Sequence, residues 1–184
     1  MTNKQPKERP QAEQSRQLLS QALLTLMKQE RYQEITIAKL TTQAGVSRRT
    51  FYRHFDTLPD LLAYILDDFV TGFKSYFMDN AQENDFYSIL MAYFSYCETH
   101  KSLIDLLYKQ QLGFLFTEQV MPAIRNAIHK TSGTPHTQTN YVFYFAAGGA
   151  AYLLYKWVEN DMKQSPEEMT ELTLKSIKFF AQQI

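Results

Sequence analysis

The chain has 184 residues, of which 45% are apolar and 14% aromatic, and its formal net charge is zero; this is a globular composition, long enough for one or two domains, and not a disordered one. The single cysteine, Cys97, cannot close an internal disulfide and fits a reducing, cytoplasmic setting. The longest apolar stretch, YVFYFAAGGAAYLLY at 141–155, has two glycines and four tyrosines in fifteen residues and falls short of the ~20 that a membrane span requires, so no membrane is expected.

Residues 1–12 are polar and Pro-punctuated, with Lys4, Lys7 and Arg9, and read as a disordered basic tail without the apolar core of a signal peptide. In SRQLLSQALLTLMK the apolar positions Leu18, Leu19, Ala22, Leu23, Leu26 and Met27 form one helical stripe. Thr36 offers an N-cap to a second helix with Ile37 and Leu40 facing inward, and Gly45 supplies the freedom for a tight turn. Ser47 caps a third, short helix at 48–55, where Phe51 and Phe55 share a face. At 100° per residue Arg49, Tyr52 and Arg53 fall opposite, with Arg48 and His54 on the flanks. Thr57-Leu58-Pro59-Asp60 reads as a capping box opening a long helix to about residue 80. Helices follow near 84–99, 101–110, 113–130 and 138–160, and a last one opens at the capping box Ser165-Pro166-Glu167-Glu168. The pattern is all-α, with about nine helices.

The zero net charge hides a split. Residues 1–56 hold ten Lys/Arg against five Asp/Glu, whereas 57–184 hold nine against fourteen. A basic front and an acidic back point to contact between the front and a polyanion. Helix, glycine turn and short basic helix is the layout of a helix-turn-helix, whose second helix enters the major groove of double-stranded DNA. Val46, Phe51 and Phe55 hold such a helix from inside, while Arg48, Arg49, Thr50, Tyr52 and His54 supply outward donors for guanine edges and phosphates.

Residues 15–66 resemble the N-terminal domain of the TetR family of bacterial transcriptional regulators, through the run TIAKLTTQAGVSRRTFYRHF at 36–55 and its Y-x-H-F ending. The resemblance implies a DNA-binding domain at 13–56 and a helical effector-binding and dimerisation domain at 57–184. It implies a homodimer on a palindromic operator, a repressor whose affinity is set by a ligand in the C-terminal bundle. A protein partner in place of a small molecule, or an architectural DNA-binding role on the same fold, is the alternative. By position, Arg48 and Arg49 would read bases, and Tyr52 a thymine methyl or a phosphate. Thr36, Thr50 and His54 would hold the backbone, with Arg16, Ser47 and Arg53 adding to the DNA-facing set. Leu58 stands where many members carry a phosphate-gripping lysine. GGAAYLLYKWVENDMKQSPEEM, at 148–169, resembles the last two helices of one branch of the family, which form a four-helix dimer interface. Gly148, Ala151, Tyr155, Trp157 and Met169 are the expected interface residues.

The middle helices are rich in aromatic residues, and tyrosines within such a set give an apolar wall with hydrogen-bonding tips. Tyr93, Tyr96, Tyr108, Phe114 and Tyr144 are the expected lining of an effector cavity for a planar or lipophilic ligand. Cys97 and His100 sit three apart, half of a metal site for which no second pair converges in sequence, so core packing is the reading and no metal or cofactor is expected. His129 and His136 straddle a polar loop and read as solvated. No nucleophile–base set, phosphate loop or HExxH occurs, and no enzyme is expected.

Overall fold

The computed structural model describes residues 10–80, 85–132 and 139–181. The tail residues Lys4, Lys7 and Arg9, the loop with His136, and the side chain of His129 lie outside the described residues. The elements are α1 (Pro10–Met27), a 3-10 turn (Tyr32–Glu34), α2 (Ile37–Ala44), α3 (Arg48–Tyr52), α4 (Leu58–Asn80), α5 (Phe86–Thr99), α6 (Lys101–Lys109), α7 (Gly113–Ser132), α8 (Thr139–Glu159) and α9 (Pro166–Ala181). Among the described residues every regular element is helical. The chain forms two compact units, one ending at Asp67 and the other beginning at Asp68, so the division falls inside α4.

Two boundaries differ from the sequence reading. α1 begins at Pro10, inside the stretch read as tail, because proline has no N–H to lose in a first helical turn and its φ is already helical. α3 stops at Tyr52 rather than at 55, with Arg53 as its C-cap.

In the first unit α1 packs on α2 and α2 on α3. Leu19, Leu23, Leu40, Phe51 and Leu61 are fully buried at its centre. Burying each such side chain is worth about 1.5–3 kcal/mol, which is what fixes a five-residue helix that could not persist alone. Leu18, read as part of the inner stripe, is 38% exposed, since the stripe of α1 is narrower than its run of leucines.

In the second unit α5 packs against α7 and α9, α6 against α7 and α8, and α8 against α7 and α9. The helix starts are set locally. Asp85 accepts from the Ser88 amide at 2.7 Å, and the Ser165–Glu168 box closes both ways, at 2.7 and 3.1 Å. Trp157 is 2% exposed, edge-on to Phe94 at 5.7 Å, and its indole N–H donates to the Gln164 carbonyl at 3.0 Å. Tyr96 donates its hydroxyl to the Phe69 carbonyl, one side of an aromatic cluster that also holds Phe73, Tyr76 and His100.

Candidate functional site

The α2–α3 corner is specified by local chemistry. Thr36 Oγ1 accepts from the Lys39 amide at 3.2 Å and opens α2. Gly45 ends it at φ 66°, a left-handed conformation that costs an L-residue about 1–2 kcal/mol, with its amide bonded back to α2. Two residues later Ser47 Oγ accepts from the Thr50 amide at 3.0 Å and starts α3. Phe51 and Phe55, 0% and 7% exposed, pin the inner face.

That anchoring leaves Arg48, Arg49, Tyr52 and Arg53 on the surface, Tyr52 being 56% exposed with its ring held edge-on by Phe51 at 5.4 Å. Among the described residues no carboxylate pairs with Arg48, Arg49 or Arg53. Three adjacent cations without counter-charge repel one another, so the surface is complementary to an anion. Thr36 and Ser47 are exposed, Thr50 and His54 half-buried. Thr36 uses its oxygen as a cap acceptor, which leaves the hydroxyl proton to donate outward.

Arg16 is placed differently from the others. Its guanidinium pairs with Glu13 at 3.0 Å and lies 5.8 Å from the centre of the Tyr64 ring, while the Tyr64 hydroxyl donates to the other Glu13 oxygen at 3.1 Å. The Arg16 hydrogen bond, more than any other contact, holds the Glu13 carboxyl below its ordinary range, so the pair stays ionised at neutral pH. The Glu13–Arg16 spacing of three on a helix was a readable signal; the Tyr64 contact, between residues distant in sequence, was not.

In the second unit the expected cavity residues separate. Tyr108, Phe114 and Tyr144 line one open cleft of about 400 Å³ between α7 and α8, together with Thr117, Glu118, Met121 and Tyr152. Gly113 opens α7 where a Cβ would collide with the Tyr108 ring, so this glycine lets that ring lie at the cleft floor. Burial pushes the Tyr108 phenol up to about 12. Tyr93 and Tyr96 do not line this cleft. They are 3% and 7% exposed, packed in the aromatic core, and burial raises both phenols.

The expected interface residues separate as well. Trp157 and Met169, 2% and 4% exposed, face the core of their own unit, because the indole finds both its aromatic neighbour and its acceptor there. Ala151 is 8% exposed and, with Gly148 and Tyr155, borders the α7–α8 cleft. The outward ridge of α8 keeps Gly148 from the expected set and adds Tyr144, Phe145, Gly149 and Tyr152, and a second cleft of about 390 Å³ lies between this ridge and α9.

Cys97 is 1% exposed, beside Tyr93, and burial pushes its thiol up, which makes it a poor nucleophile and a poor ligand. His100 Nδ1 is shared by the Thr99 hydroxyl and the Tyr96 carbonyl, each at 2.9 Å. Among the described residues no three His, Cys, Asp or Glu side chains converge as a metal site, and no helix is long and apolar enough to cross a membrane.

A helix-turn-helix with an unpaired cationic outer face, followed by a second all-helical unit, defines a DNA-binding regulator. Residues 19–65 match the family model described as bacterial regulatory proteins, tetR family, and residues 84–179 match the one described as transcriptional regulator C-terminal region. The chain belongs to the TetR family of transcriptional regulators, with an N-terminal DNA-binding and a C-terminal regulatory domain; this is a non-enzymatic family whose members bind DNA and typically form dimers. No significant match is found among curated proteins. Among solved structures, a TetR-family transcriptional regulator from Syntrophomonas wolfei is 19% identical with a TM-score of 0.69, over 92% of this chain and 95% of that one. The fatty acid degradation regulator FadR from Bacillus halodurans is 15% identical with a TM-score of 0.60, over 93% and 96%. The dihydroxyacetone kinase operon activator DhaS is 15% identical with a TM-score of 0.54, over 91% and 95%. At these identities the likeness is one of fold.

Proposed function

We propose that the protein is a repressor that acts as a homodimer on a palindromic operator and releases it when a ligand enters the C-terminal domain. The observation that carries this reading is the outer face of α3 and its C-cap, where Arg48, Arg49 and Arg53 stand exposed without an acidic partner among the described residues. Arginine forks match the O6/N7 edge of guanine, and the remaining guanidinium groups match phosphates. Dimerisation is supported by the α8 ridge, where added Cβ atoms at Gly148 and Gly149 would meet nothing within 4 Å, so a second helix can approach closely. Half-sites in successive major grooves lie ~34–36 Å apart, and a change of a few Å between two recognition helices prevents both from docking. α4 runs unbroken from the DNA-binding unit into the regulatory one, so its tilt is the natural lever. The ligand must favour the undocked state, and the size of that preference limits the response.

The test is Arg49→Ala against a footprinted operator. The expected loss is about 1–3 kcal/mol, confined to one base pair in each half-site, with relaxed specificity there. Equal weakening on every sequence would make Arg49 a phosphate contact. Unchanged binding would remove α3 from the groove.

A further inference from the structure

The α7–α8 cleft has a chemical bias that its apolar character conceals. Its walls carry five aromatic rings, Tyr108, Phe114, Tyr144, Tyr152 and Tyr155, and Glu118 is the one charged side chain among its lining residues. Aromatic faces are the negative ends of the ring quadrupole, and cations settle on them. The protein's own cations already do so on three of these rings. The Arg125 guanidinium lies 5.6 Å from the centre of the Tyr144 ring, and Lys156 Nζ lies 5.2 Å from that of Tyr155 and 6.0 Å from that of Tyr152. Neither Arg125 nor Lys156 is among the lining residues, whose one charge is the Glu118 carboxylate. Among the described residues no cation pairs with Glu118. The backbone adds to it: Pro122 stands inside α7 and has no N–H, so the helix cannot give the Glu118 carbonyl its usual donor four residues on. Glu118 therefore carries a carboxylate at the cleft and, in the helix behind it, a carbonyl without its usual donor.

We propose that this cleft binds a small organic cation, an ammonium group carried on an apolar or aromatic body. The cationic head lies against Glu118 and the Tyr152 ring, and the body lies on Phe114, Met121 and Ala147. An anionic ligand would meet the Glu118 carboxylate instead, and a neutral one would leave the charge unused. The proposal deepens the reading of a ligand-controlled regulator and rests on it for its biological meaning, but the binding step can be measured alone.

The probes are 3-hydroxyphenyltrimethylammonium and its neutral isostere 3-tert-butylphenol, which differ in charge and hardly in shape. Titration of the full-length protein by calorimetry or ligand-observed NMR should show the cation bound about tenfold more tightly, since each exposed ring contributes about two- to five-fold. Glu118→Gln should weaken the cation about two- to five-fold and leave the phenol unchanged. Tyr152→Leu should weaken the cation more than the phenol, with light scattering to confirm that the association state is unchanged, since Tyr152 also lies on the α8 ridge. Circular dichroism melts of both variants would confirm that they fold. Equal binding of the two probes, indifference to Glu118→Gln, or no binding of either probe at millimolar concentration would each overturn the proposal. Operator affinity measured with the saturating cation separates the two claims. A cation that binds through Glu118 but leaves operator affinity unmoved keeps the site and sinks the ligand-control reading. An operator response to other compounds, with no preference for the cation, does the reverse.

Discussion

Glu13→Gln should make operator binding more steeply dependent on salt. In the wild-type protein Arg16 is held by the Glu13 carboxylate at 3.0 Å, and the carboxyl stays ionised because that arginine keeps it below its ordinary range. A guanidinium already paired with an anion releases few counterions when it meets a phosphate. α3 offers Arg48, Arg49 and Arg53 on each subunit. If two of them neutralise phosphates and the third reads a base, the dimer makes about four such contacts, and log K falls by about 3.6 for each tenfold rise in salt. Removing the Glu13 charge frees Arg16 on both subunits and raises the slope to about 5.4. Between 50 and 200 mM salt the variant should therefore lose about tenfold more affinity than the wild type. At low salt it should bind more tightly, with unchanged sequence preference. Fluorescence anisotropy with a labelled operator across that salt range is the assay, and adding Arg16→Gln to the variant should return the slope to its starting value. An unchanged slope in Glu13→Gln would show that the start of α1 does not reach the DNA, and Arg16 would leave the DNA-facing set.

Gly149→Glu should give a folded monomer by light scattering, because an added Cβ there meets nothing within 4 Å in its own subunit while the side chain would stand in the path of a second helix; a persistent dimer would move the interface off the α8 ridge. Trp157→Ala should cost about 3–5 kcal/mol in chemical denaturation, as for other large buried aromatics, with no specific effect on association beyond that; a well-folded variant that has become monomeric would return Trp157 to the interface. Alkaline titration followed at 295 nm should show buried tyrosines that fail to ionise near pH 10. Tyr93 and Tyr108 are raised by burial, Tyr108 to about 12. The unfolded chain ionises these phenols first, so their stabilising contribution is complete below pH 10 and is lost as the pH climbs towards 12. All tyrosines ionising together near pH 10, without unfolding, would contradict the burial.

What could be read from the sequence and what could not divide along a physical line. The α2–α3 corner was legible because each of its determinants acts within four residues. Thr36 and Ser47 bond the amide three positions on, Gly45 takes the left-handed turn, and Phe51 and Phe55 share a face through helical period alone. The Ser165 and Thr57 boxes were legible for the same reason. Periodicity identifies an apolar face but is silent on what covers it. Trp157 and Met169 lie on such a face, and the cover is the interior of their own unit. Tyr93 and Tyr96 read as aromatic wall for a cavity, yet Phe73 and Phe69 fill the space in front of them. Tyr108, Phe114 and Tyr144 do meet around a cleft, and Glu118, the residue that gives the cleft its charge, had no feature in sequence to separate it from any other exposed glutamate. Only the pairing of α7 with α8 brings that carboxylate to the tyrosines, and only then does the proline four residues further on bear on what the cleft can hold.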